Sequence, residues 1–239
     1  VYIFNKHEAI PAEVKGNMQY LIIDYAKAMF ASMMGSRMGE LAMQPDAPFV
    51  EGFVNDEDYF LSKTKGAVSG AIIPKEGQMK EATALLYREM LRARRHGFTE
   101  SEYVRARAEY LTNLESAYNE RAKVKSRSYC QQYVRHFIDN EPIPGIENEY
   151  ALMNQLAPNL PVDLVNQLIQ GLMSDSNLVV MAMLPEKEGM TYPTEAEVAQ
   201  LLTAVAAEDI TAYVDKVSDE PLIAQEPEGG KVVKTKEAK

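Results

Sequence analysis

Cysteine, histidine and long apolar runs are all scarce in this chain of 239 residues, and each scarcity closes off a class of function. Cys130 is the single cysteine, so no disulfide can form within the chain. That count fits a reducing compartment, and equally an exported protein built without disulfides. No run approaches the roughly eighteen apolar residues of a membrane helix, and no signal peptide is visible. Basic residues are outnumbered 25 to 35, for a formal charge of −10, and they are scattered along helical stretches. This balance disfavours nucleic acid and anionic membranes as partners, and no membrane insertion is expected.

The three histidines, His7, His96 and His136, lie far apart in sequence. Zinc peptidase motifs place two histidines and a glutamate on one helix, so that both imidazoles and the base meet the metal and its water. His7-Glu8 begins like such a motif, but Pro11 follows where the second histidine would stand. His136, beside Phe137, reads as a buried or partly buried structural residue. Cys130 and His136 fall on opposite faces of a helix and make a poor nucleophile pair. There is no G-x-S-x-G elbow. Gly66 and Gly70 have no Lys and Ser/Thr behind them, which excludes a phosphate loop; they read as a close approach of helix to strand. Asp56, Glu57 and Asp58 read as a solvated strand edge rather than an acid–base pair. Glu100, Glu102 and Glu109, with Arg105 and Arg107, read as surface charges along a helix. The cluster Arg92, Arg94 and Arg95 reads as helix-dipole compensation, with anion binding as the alternative. No catalytic or metal-binding residue emerges, and substrate-binding residues stay unassigned.

Apolar content of 46 % and charged content of 25 % are those of a chain that buries a core. Residues 99–139 contain neither proline nor glycine and form the stretch around which the rest is expected to pack. Thr99 and Glu102 make a capping box, preceded by Phe98. An unbroken helix here would run roughly 60 Å, so a bend is expected between Arg121 and Ser128. Further helices are expected over Asn17–Met43, Glu76–Arg95, Glu147–Gln155, Pro161–Met173, Thr194–Ala206 and Glu208–Val217. Six of the thirteen methionines lie between Met18 and Met43. Core filler is the preferred reading there, an adaptable partner groove the alternative. Strands are expected at Val1–Phe4, Phe49–Phe60, Lys65–Ile73 and Asn177–Leu184, the last inside the sheet because it is apolar throughout. The fold expected is α+β, a two-layer sandwich of a mostly antiparallel sheet of four strands with long helices on one face. Residues 1–218 are expected to be a single domain, and 219–239 a linker or tail. The start at Val1, mid-pattern and without Met, reads as a fragment or processed product.

Several phrases resemble a known family. RMGELAMQPDAPFV at 37–50 resembles the run by which peptidase family M16 proteins, the insulinase and pitrilysin group, leave a long helix and enter a strand. HGFTESEYVRARAEYL at 96–111 resembles their second hallmark, a G-F-T turn opening a long helix. EGGKVVKTKEAK at 228–239 resembles the connector of bacterial two-half members. The resemblance runs along essentially the whole chain. It implies similar α+β domains in two halves around a large chamber, with the zinc motif His-x-x-Glu-His in the first domain. This chain resembles the second domain of the first half, which carries no zinc ligand. The resemblance thus implies a non-catalytic structural domain that walls the substrate chamber and supports the catalytic domain, inactive alone within a zinc metalloendopeptidase. No cofactor is expected in this chain, and zinc is expected in the upstream domain. Partners would be that domain, the second half, and the parent's peptide substrates. The alternative is a scaffold or binding domain of a catalytically inactive relative. Arg37 matches a recurring arginine of the helix exit and is read as structural. The compartment is unknown; similar tails in exported bacterial relatives suggest the cell envelope or periplasm.

Overall fold

The computed structural model describes residues 1–217 and, beyond them, 223, 229–230 and 234–235. Four strands, β1 (Tyr2–Glu8), β2 (Phe49–Asp58), β3 (Lys65–Pro74) and β4 (Leu178–Met181), form one sheet in the order β2-β3-β1-β4. Every neighbouring pair is antiparallel. The helices are α1 (Met18–Ala42), α2 (Met79–His96), α3 (Glu100–Asn119), α4 (Ser126–Asp139), α5 (Ile146–Leu156), α6 (Val162–Leu172) and α7 (Glu195–Ala206). The architecture is the expected two-layer α+β sandwich.

Period-two alternation sorts the strands into two faces. Paired rows Val54–Gly70–Ile3–Val180 and Asp56–Val68–Asn5–Leu178 share one face. Against it lie α1 and α2, bringing Tyr25, Met29, Phe30, Met33, Met34 and Met38 from one helix and Leu86, Met90 and Leu91 from the other. The methionines within α1 are core filler, whereas Met18 and Met43 at its ends are exposed. Gly70 lets α2 approach, because a Cβ there would sit 2.9 Å from Met90 Sδ and 3.0 Å from Leu86 Cδ1. Gly66 serves differently, as the His7 ring fills its space.

Helix starts follow local chemistry. Asn17 caps α1 by accepting from Tyr20 N, and Thr99 and Thr194 close capping boxes with Glu102 and Glu197. The hairpin turns at Tyr59–Ser62, where Ser62 N donates to Tyr59 O at 2.8 Å.

Three expectations are corrected and one is met. The bend expected between Arg121 and Ser128 is present as a short 3-10 turn at Arg121–Lys123 that parts 99–139 into α3 and α4, but only α3 contributes to the core. No residue of α4 is buried, so the chain is organised around α1, α2 and the sheet. The strand β4 lies at the sheet edge, not inside; its apolar content reflects half-burial, Leu178 and Val180 packing on the core. Residues 208–217 are not helical. They form a strap whose backbone carbonyls are taken by arginines: Arg95 donates to Glu208 O (3.0 Å) and Arg92 to Thr211 O, while Arg95 also donates to Ala206 O at the end of α7 (2.6 Å). The linker expected at 219–239 falls largely outside the described residues.

Candidate functional site

Two polar clusters stand out inside the helical layer. In the first, Arg37 is fully buried and grips Glu102 through two bonds, Nε to Oε1 at 2.6 Å and Nη2 to Oε2 at 2.9 Å. Nη2 also donates to Gly97 O at 3.0 Å. Phe98 and Tyr213 cover the guanidinium from 4.4 and 4.3 Å, so the strap closes over it. Gly97 has φ +69°, a region that disfavours side chains, and a Cβ there would collide with Asn166. Asn166 Oδ1 in turn accepts from Phe98 N at 2.8 Å. The G-F-T turn is thus a joint between α1, α3 and α6. Glu102, read as a surface charge, is buried and fixes that joint. Arg37 has the structural role expected of it.

In the second cluster, Asp56 has no exposed side-chain surface and sits between two cations. His7 Nε2 lies 2.6 Å from its Oδ1, and Lys27 Nζ lies 2.6 Å from its Oδ2. Burial opposes charge on His7, but the hydrogen bond and negative charge of Asp56, with the Glu8 carbonyl, outweigh it and raise the imidazole pKa. Asp56 is therefore no solvated edge, because its position in β2 points into the helical layer. The other two histidines go elsewhere. His96 Nε2 meets Ile210 O at 2.6 Å, and His136, exposed rather than buried, meets Glu141 O at 2.6 Å through Nδ1. Cys130 is exposed. Among the described residues no three His, Cys, Asp or Glu side chains come together as a metal site. Each histidine is engaged separately, and this donor set does not fit zinc.

The opposite face of the sheet has a different character. Rows Phe53–Ala71–Tyr2–Met181 and Asn55–Ser69–Phe4–Val179 point away from the helices. Phe4 stacks with Tyr2 at 5.9 Å and meets Tyr59 and Phe60 at 5.5 and 5.4 Å. Phe53, Phe60, Leu61, Ile73 and Met183 are all at least half exposed. On the helical side of β4, rather than on this open face, a trough of about 790 Å³ lies between that strand, α2 and α7. Its walls include Tyr87, Leu178, Val180, Val198 and Leu202. An open aromatic sheet face next to an open strand edge can receive extended polypeptide through apolar contact and backbone hydrogen bonds. Reading the strands by composition alone missed this face. The signal lay in the alternation Tyr2, Phe4 and Phe53, Asn55 once the strands were paired.

No family model matches the chain. It is 31% identical over 142 residues to a "Zinc protease PQQL-like" of Arabidopsis thaliana, covering 59% of this chain and 15% of that protein. The periplasmic protease PqqL from Escherichia coli superposes with a TM-score of 0.73 at 16% identity, over 94% of this chain and 24% of PqqL. A structure of the first half of PqqL superposes at 0.70 and 16% identity, over 90% of this chain and 45% of that half. The chain therefore resembles the M16, insulinase-type and PqqL-like zinc proteases in sequence and shares the fold of their domains. It spans only a small part of the length of these proteins.

Proposed function

We propose that this chain is a non-catalytic domain of an M16-type zinc peptidase, the second domain of its first half. Its work is to wall the chamber in which peptide substrates are held and to support a zinc-bearing domain supplied upstream. The observation that carries this reading is the sheet with one face packed by helices and the other left open, apolar and aromatic. The match to under half of the PqqL first half supports the placement, since it leaves room there for a second domain of similar size. The donor set agrees, because His7, His96 and His136 are each committed to separate partners.

The test has two arms. The polypeptide upstream of Val1 should contain His-x-x-Glu-His. In the complete peptidase, Phe53→Ser with Phe60→Ser should lower kcat/KM on unfolded peptides several-fold while bound zinc stays at one equivalent. Unchanged cleavage would remove the open face from the chamber, and absence of the motif would favour an inactive relative.

A further inference from the structure

Helix α4 is inside out. Its apolar residues Tyr129, Cys130, Tyr133, Val134, Phe137 and Ile138 recur three and four apart and form one stripe. That stripe faces solvent: Tyr133 is 58% exposed, Val134 53%, Ile138 54% and Phe137 90%. The helix is tied to the body instead by polar groups at its C-terminal end. Lys15 Nζ donates to Asp139 O at 2.9 Å, and Lys63 pairs with Asp139 Oδ1 at 3.0 Å. Two residues on, Glu141 is held by Lys15 and Tyr20. A helix anchored by its polar residues with its apolar stripe outward is placed to be covered by another surface.

Charge and area indicate what covers it. Lys125 and Arg127 form no ion pair among the described residues, so the N-terminal end of the stripe carries uncompensated cations in a chain of net charge −10, whereas the charge of Arg135 acts on Asp24 of α1. An apolar surface with acidic flanks is complementary to that pattern. At 1.5 Å per residue α4 is about 21 Å long, and a helix face offers on the order of 200–400 Å². A stable free complex buries about 800 Å² per partner, so this stripe alone does not sustain one. It does suffice for a partner held nearby in the same polypeptide, where effective concentration is high. The PqqL chain is long enough for this, as the matched fold accounts for only 24% of it.

We infer that the outer face of α4 is an interdomain docking surface, covered by an apolar, acid-flanked face of an adjoining domain of the same polypeptide. The inference rests on the reading of this chain as one domain of a larger peptidase and adds to it the surface through which the domain is held. Cys130 lies in the stripe and is the chain's only cysteine, so its thiol reports coverage directly.

The experiment compares maleimide labelling of Cys130, followed by peptide mass spectrometry, in the isolated chain and in the complete two-half polypeptide. Labelling should be fast in the first and at least tenfold slower in the second, with Phe137→Asp restoring the fast rate. In the isolated chain Phe137→Asp should leave the thermal midpoint unchanged; a clear drop would mean that the stripe packs within the domain and would overturn the proposal. Equal labelling in both polypeptides would overturn it as well. So would a dimer of the isolated chain that Phe137→Asp disperses, which would assign the stripe to a second copy. Binding of the isolated chain to phosphatidylserine vesicles would assign it to a membrane instead. Loss of the zinc-peptidase reading is scored separately, by the upstream motif and by cleavage, and does not alter the labelling result.

Discussion

Arg37 and Glu102, 65 residues apart in sequence, form a buried two-bond ion pair that joins the end of α1 to the start of α3. Removing one partner leaves the other charged and out of water, which costs about 3–5 kcal/mol. Arg37→Ala should therefore lower the free energy of unfolding by that amount in urea titrations. The double variant Arg37→Ala, Glu102→Ala should lose less than the sum of the single variants. Arg37→Lys should not restore stability, since an ammonium cannot form the planar two-bond fork or stack between Phe98 and Tyr213. A loss under about 1 kcal/mol for Arg37→Ala would contradict the role assigned to the pair.

His7 supplies a pH-dependent contribution. Its folded pKa is raised above the ordinary imidazole value, with the Asp56 hydrogen bond and charge overcoming burial. A raised folded value means that stabilisation is fully present below the unfolded pKa of about 6.5 and is lost as pH rises through the folded value. The stability difference between the native chain and His7→Gln should thus shrink from pH 6 upward. Nuclear magnetic resonance should place the His7 titration above that of an unfolded peptide. A difference independent of pH would contradict the Asp56 contact.

Much of the fold was legible because its signals are local. Thr99 and Thr194, each with a Glu three residues on, announce their helices, and both capping boxes form. Pro45 and Pro48 mark the exit from α1, and the hairpin is flagged by two apolar runs around a polar turn. What could not be read depends on partners distant in sequence. The position of β4 at the edge is set by its pairing with β1 alone, to which composition is blind. The strap at 208–217 carries helical composition, yet Arg92, Arg95 and His96 take its carbonyls and outcompete helical bonding. The burial of Asp56 and Glu102 depends on cations supplied by α1, which no spacing along β2 or α3 foretells.

The strap should matter for stability. Ile210 is buried, Tyr213 covers Arg37, and Asp215 pairs with Arg105 at 2.9 Å. Removing everything after Ala207 should lower the thermal midpoint by on the order of ten degrees relative to a chain ending at Val217, because each kcal/mol shifts a domain of this size by about 2–4 °C. Equal midpoints would mean that these contacts contribute nothing net.

Close approach of α2 to the sheet depends on Gly70. Valine there would bring its Cβ to 2.9 Å from Met90 Sδ and its further methyls closer still. Both neighbours are flexible side chains, so the helix should shift rather than unfold, at a cost of about 1–3 kcal/mol. Gly70→Val should lower the midpoint by several degrees, and an unchanged midpoint would mean that α2 does not press on β3 at this position.

The most direct test of the central claim is the zinc content of the purified chain, measured by elemental analysis after dialysis against micromolar zinc, with cleavage of unfolded peptides of about twenty residues monitored in parallel. A wall domain whose histidines are committed to Asp56, Ile210 and Glu141 should retain well under one equivalent and leave the peptides intact. Stoichiometric zinc with chelator-sensitive cleavage would contradict the account.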